Sequence, residues 1–140
     1  MAEQLEQMRF RSATAAAEMA RSGQISSREL TELALARIDA LNPSLNAVVE
    51  LRPEAALQEA ATADEVTARG EAMGPLHSVP VTIKEALQIT GMHNTWSNPA
   101  FRDFVAERDA TVVRRLRRAG AIVVGTTNLA FMLGDFAPAR

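Results

Sequence analysis

The sequence predicts an α/β fold, and three observations carry the prediction. Segments with helical hydrophobic spacing alternate with short runs rich in valine and isoleucine. Residues that cap helices stand at the starts of the helical segments. Glycine or proline marks most of the boundaries between them.

Taken in order, Ser12 is placed to cap a helix from Ala13 to about Ser22, which Gly23 stops. Ser26 and Glu29 have the spacing of a capping box. The helix that follows carries Leu30, Leu33, Ala34, Ile38 and Leu41 as a stripe facing a core, and Asn42-Pro43 is expected to end it. Asn46 to Leu51 reads as a short strand. Pro53 opens a third, alanine-rich helix that reaches about Arg69 and closes at Gly70.

Gly74-Pro75 marks a turn, and a strand is expected from about Ser78 to Lys84. Alternation puts Val79, Val81 and Ile83 on one face and Pro80, Thr82 and Lys84 on the other. Pro80 lacks a ladder donor, so the strand should be irregular near its start. Residues 91–104 read as a loop with an exposed Trp96, of a length used both for function and for plain connection.

Asp109 is expected to cap the next helix, with Val112, Val113, Leu116 and Ala119 inward. Arg114, Arg115, Arg117 and Arg118 form its opposite face, read as solvated rather than as a phosphate site. Gly120 stops that helix, Ala121 to Thr126 is a buried strand, and Asn128 caps the short apolar segment LAFML. Three short strands make a narrow sheet for at least four helices, and Phe131, Met132, Leu133 and Phe136 have no later element to cover them. The chain therefore reads as cut rather than finished.

Composition narrows the function. A chain of 140 residues that is 47% hydrophobic and 23% charged suits one ordinary globular domain. Its net charge of −2 implies no bulk attraction to nucleic acid or to an anionic membrane. There are no cysteines and only His77 and His93, which excludes thiolate metal sites and argues against a histidine-rich one. No metal or other cofactor is expected. The opening MAEQLEQMRFRS contains acidic residues and no apolar core segment, so it is not read as a secretory signal. No apolar run reaches about 18 residues, so no membrane span is expected and the cytoplasm is the default location.

The chemically suggestive stretch is GPLHSVPVTIKE, Gly74 to Glu85. It holds the chain's single lysine, Lys84, against fourteen arginines. Arginine keeps its proton in proteins, whereas a desolvated lysine can release it. Lys84, at the end of an apolar strand, is thus a candidate general base; the alternative is a strand-end lysine reaching into water. Other motifs carry less. AGAIVVGTTN lacks the glycine spacing of a dinucleotide site and the G-K-[ST] of a P-loop. No serine lies in a G-x-S-x-G context. The carboxylate pairs Asp64–Glu65 and Glu107–Asp109 are read as solvated on helix faces or caps, and His77 as a structural histidine.

Three ordered blocks, GPLHSVPVTIKE, TGMHNTWSNPAFRD and DATVVRRLRRAGAIVVGTTNLAFMLGD, resemble the amidase signature family of amide hydrolases. The similarity is close from Gly74 to Asp135 and looser across ALARIDALNPSLNAVVE. It implies the N-terminal part of the amidase signature fold, a mixed β-sheet flanked by helices: a helical region over 1–72, then the start of the core with the lysine strand over 73–140. The resemblance also implies a Ser–cis-Ser–Lys mechanism in which Lys84 is the lysine. A neutral lysine relays a proton from a bridging serine, and backbone donors stabilise the oxyanion.

In the family both serines and the oxyanion loop follow the block matching FMLGD, so this chain carries the lysine without its partners and is expected to be inactive alone. A small-molecule amide is the implied substrate of the complete enzyme. The alternative is a non-catalytic remnant, or a subunit that pairs with a second copy or a complementing chain. Four positions depart from the family pattern: Ser78 and Ser97 for glycines, Glu85 for a commoner aspartate, and Thr126 for the lysine of G-K-T-N. If the backbone at Ser78 has positive φ, its side chain strains it.

Overall fold

A computed structural model describes residues 12–134. The sequence readings that fall on 1–11 and on Asp135 and Phe136 lie outside the described residues. The elements are α1 (Ala13–Arg21), α2 (Ser27–Leu45), β1 (Val48–Leu51), α3 (Pro53–Ala68), β2 (Pro80–Lys84), a 3-10 turn (Pro99–Phe101), α4 (Thr111–Arg118), β3 (Ile122–Thr127) and a second 3-10 turn (Phe131–Leu133). Among the described residues no helix is long and apolar enough to cross a membrane.

The sheet has the order β1-β3-β2. β3 pairs antiparallel with β1 and parallel with β2, so the sheet is mixed and its middle strand is the last in sequence. The 122–126 stretch of β3 is wholly buried, which explains why it reads as an unbroken apolar run rather than an alternation. On one face Ile83 and Val123 pack with Val113 of α4 and with Ile89 and Met92. On the other, Ile122 and Val124 meet Ala56 and Ala60 of α3, flanked by Leu35 and Ile38 of α2. Ala17, Ala56, Ala60 and Ala63 are fully buried. In a chain with few aromatics, such small faces let the helices approach closely enough to exclude water.

The helix starts follow the sequence. Ser12 accepts the Ala15 N–H at 3.1 Å, and the capping box of Ser26 and Glu29 is complete. Two ends differ. α2 runs through Pro43 to Leu45 and stops at Asn46, whose φ of 49° is left-handed. Pro43 forfeits one backbone donor near the helix end, and the Asn42 side chain offsets it with two 2.8 Å bonds to the Val48 backbone. Leu41, expected in the core stripe, is 43% exposed on this last stretch.

At α4 the cap residue is Ala110, not Asp109, and no side chain caps it. Asp109 instead accepts the Thr90 N–H at 2.8 Å and its hydroxyl at 3.0 Å. Val112 lies on the exposed side of α4. Arg117 leaves the expected solvated face and donates to Glu59 at 2.6 Å, with its Nε 3.1 Å from Asp109. Asp64 is likewise committed, accepting the Ser27 and Arg28 N–H groups at the start of α2 at 2.6 and 3.1 Å.

β2 starts at Pro80, two residues later than expected. Ser78 has φ 69°, which takes it out of extended geometry. The register also shifts between Val81 and Thr82, as the proline predicts.

Candidate active site

Lys84 is the last residue of β2, paired in register with Thr127 of β3. It lies on the strand face opposite the buried Ile83 and is exposed. The dry setting expected for it from sequence is therefore not built by the described residues. β2 is an edge strand, paired within the sheet only with β3. Just beyond, the Glu85 N–H donates to the Thr127 carbonyl at 3.1 Å and continues the ladder by one residue.

Glu85, 5% exposed, turns the other way and organises the following loop. Its carboxylate accepts the N–H groups of Thr95 and of Trp96, the latter at 2.9 Å, while its carbonyl accepts the Asn94 side-chain amide. Trp96 and Ser97 both have φ of 54°, and consecutive N–H groups near such residues converge into an anion-binding hollow. Here the chain fills that hollow with its own carboxylate. Trp96, expected to be exposed, is half-buried, and its carbonyl accepts the Met132 N–H at 2.8 Å.

The approach to β2 is held from below. Ser78 is fully buried and its hydroxyl lies 2.5 Å from that of Ser27. Its left-handed backbone is the strain anticipated if a serine took this position. His77 is also fully buried. Its Nδ1 accepts the Met73 N–H at 3.2 Å, which leaves the ring proton on Nε2, 2.7 Å from Thr67 Oγ1. Burial, reinforced by the Arg21 guanidinium, pushes its pKa below the ordinary 6.5, with Asp64 opposing. Both nitrogens have partners, so His77 is structural. Gly120 lies against it: a Cβ there would come within 2.7 Å of His77 Cα. That contact seats the start of β3 on the approach to β2.

A cleft of about 410 Å³ opens at the C-terminal end of β3, lined by Val49, Glu50, Glu85, His93, Thr126 and Leu129 among others. Lys84 does not line it. Glu50 holds His93 twice, accepting its backbone N–H at 2.9 Å and lying 3.1 Å from its Nδ1. Thr126 is 1% exposed and its hydroxyl has no hydrogen-bond partner. Sequence reasoning missed the Glu50–His93 pair. Forty-three positions separate the two, and no local pattern joins a strand residue to a distant loop. Among the described residues no group of three or more His, Cys, Asp or Glu side chains is arranged to hold a metal.

The family model described as Amidase matches residues 29–134. The chain is 48% identical over 117 residues to an indoleacetamide hydrolase of Bradyrhizobium diazoefficiens, covering 84% of this chain and 22% of that protein. It is 44% identical over 108 residues to one subunit of a glutamyl-tRNA(Gln) amidotransferase from a Synechococcus species, covering 77% and 22%. Among solved structures it resembles the peptide amidase of Stenotrophomonas maltophilia with a TM-score of 0.82 and 37% identity, over 89% of this chain and 26% of that one. The chain thus spans about a quarter of the length of the relatives it matches.

Proposed function

The chain belongs to the amidase family, and from that premise we propose that it is the lysine-bearing part of an amide hydrolase that works through a Ser–cis-Ser–Lys relay. The observation that carries this is the placement of the single lysine, Lys84, at the end of the β2–β3 parallel pair. Ligand sites in such sheets gather at the carboxyl ends of the strands. In this reading Lys84 accepts a proton from a bridging serine, which takes it from a nucleophilic serine as that serine attacks the amide carbonyl carbon. The amine leaves with a proton returned along the same path, and water then hydrolyses the acyl ester. Solvent exclusion around the lysine favours its neutral form, and because Lys84 is exposed among the described residues, that exclusion would have to come from a further packing partner.

Residues 73–140 are then the start of the amidase core and 1–72 its helical approach. The test is an assay of the purified 140-residue chain on aryl and aliphatic amides, alone and mixed with a polypeptide supplying the rest of a related amidase. The expected result is no turnover alone and turnover on mixing that is lost in Lys84→Ala. Lysine-dependent hydrolysis by the chain alone overturns the division of labour, and lysine-independent hydrolysis by the mixture overturns the role of Lys84.

A second reading, in which the chain acts by pairing with another polypeptide, draws on the exposed Phe131, Met132 and Leu133 and on a relative that is one part of a multi-subunit amidotransferase. It predicts stable association with a complementing chain whether or not Lys84 is present.

A further inference from the structure

The wall of the cleft at the end of β3 carries Glu50 and Glu85 and neither lysine nor arginine. Glu50 accepts the His93 N–H at 2.9 Å and lies 3.1 Å from the His93 ring. Glu85, 5% exposed, accepts the Thr95 and Trp96 N–H groups. These neutral backbone donors hold the carboxylates in place without cancelling their charge. A carboxylate offers about four lone-pair sites, so each keeps acceptor capacity to spare. A second, independent feature lies on the same wall. Thr126 is 1% exposed, and its hydroxyl has no hydrogen-bond partner among the described residues. It stands where the G-K-T-N pattern has a lysine. A lysine at this position would carry an ammonium to the wall that holds both carboxylates, whereas threonine leaves their charge uncompensated and its own oxygen idle.

Charge and directionality select the occupant. An anion is repelled by the carboxylates. A neutral molecule leaves their charge as it was. A hard divalent cation takes about six to eight oxygens, but these carboxylates are pinned by N–H groups. Nor is any group of three or more His, Cys, Asp or Glu side chains among the described residues arranged to hold a metal. An ammonium group brings positive charge and several directional N–H donors, the complement of carboxylate lone pairs and a free hydroxyl oxygen. One water would serve Thr126 without meeting the charge, and a volume of about 410 Å³ exceeds one water. Val49 and Leu129 give the cleft an apolar side for a short alkyl group.

We propose that this cleft binds a small primary ammonium ion, which donates one N–H to Thr126 Oγ1 and whose charge is held by the Glu50 and Glu85 carboxylates. Lys84 does not line the cleft, so binding there and hydrolysis through Lys84 hold or fail independently.

The test is an NMR titration of the isotope-labelled chain in tetramethylammonium chloride, a cation with no N–H. Methylammonium chloride replaces that salt stepwise, so ionic strength and chloride stay constant, and potassium chloride replaces it in a parallel series. Methylammonium should produce saturable shifts at the Thr126, Glu85 and Ser97 amides, and potassium should bind at least about tenfold more weakly because it has no N–H to donate. Thr126→Val should weaken methylammonium binding about tenfold, as expected for one lost buried hydrogen bond. If that variant does not fold, Thr126→Ser and Thr126→Ala carry the same comparison, with binding kept in the first and weakened in the second. Thr126→Lys should abolish binding, because its tethered ammonium takes the place. Absence of saturable shifts, equal binding of potassium, binding unchanged by loss of the hydroxyl, or methylammonium binding that survives in a folded Thr126→Lys chain overturns the proposal.

Discussion

Ser78 sets a backbone cost against a side-chain gain. Its φ of 69° favours glycine, yet its hydroxyl is one half of the buried pair with Ser27. Ser78→Ala keeps the strain and orphans the Ser27 hydroxyl, so we expect a loss of about 2 kcal/mol in urea unfolding. Ser78→Gly removes the strain along with the bond and should lose roughly half as much. Glu85 offers a second check, because Trp96 is the only tryptophan and its N–H rests on that carboxylate. Glu85→Gln replaces one acceptor oxygen with an amide that must face a donor. Trp96 emission should shift toward the solvated value with a stability loss of about 2 kcal/mol. His77 fixes a pH dependence. Its folded pKa lies below 6.5, so between the two values the unfolded chain holds more protons than the folded one. The stability it contributes is present above pH 6.5 and falls as pH drops through that window. Glu29, held below its usual 4.5 by the Ser26 N–H and hydroxyl, adds a second loss at more acid pH. Melting temperature against pH should show the first loss, and His77→Gln should remove it.

At the level of elements, α4 carries four arginines with unequal surroundings. Arg117 bonds to Glu59, which also takes Arg52 at 2.9 Å, and so ties α4 to α3. Arg117→Ala should destabilise by about 1–2 kcal/mol, whereas Arg118→Ala should stay within about 0.5 kcal/mol in the same unfolding experiment. Local chemistry made much of the fold readable. The capping box at Ser26 and Pro53 at the head of α3 act within a few residues, and the structure follows them; Val79, expected on one face with Ile83, instead precedes β2 and packs with α1 and α2, while Ile83 packs with Val113 and Val123. The end of α2 was not readable, because Asn42 is satisfied by Val48 across the turn. Asp109 and Asp64 misled for a similar reason: their partners, Thr90 and Ser27, lie 19 and 37 positions away. In the candidate site Lys84 stood out by being unique. Glu50 and His93 did not, since one sits on β1 and the other in the loop after β2, 43 positions away, and only the folded sheet brings them to one cleft.

For the whole molecule the arrangement of the sheet sets expectations. Exposed Phe101, Phe104, Phe131 and Met132 lie on a protein otherwise cored with small aliphatic side chains. Apolar surface of this kind tends to recruit a cover, so size-exclusion with light scattering should show self-association that falls when a complementing chain is added. A compact monomer indifferent to that chain would count against it. β3 is bonded on both sides, whereas β2 has one side open. In deuterated water the backbone protons of Val123 and Val124 should therefore be among the last to be replaced, and those of β2 that point away from β3 among the first. The uptake rate along the lysine strand then becomes a clock for assembly, slowing only when another polypeptide has zipped onto it.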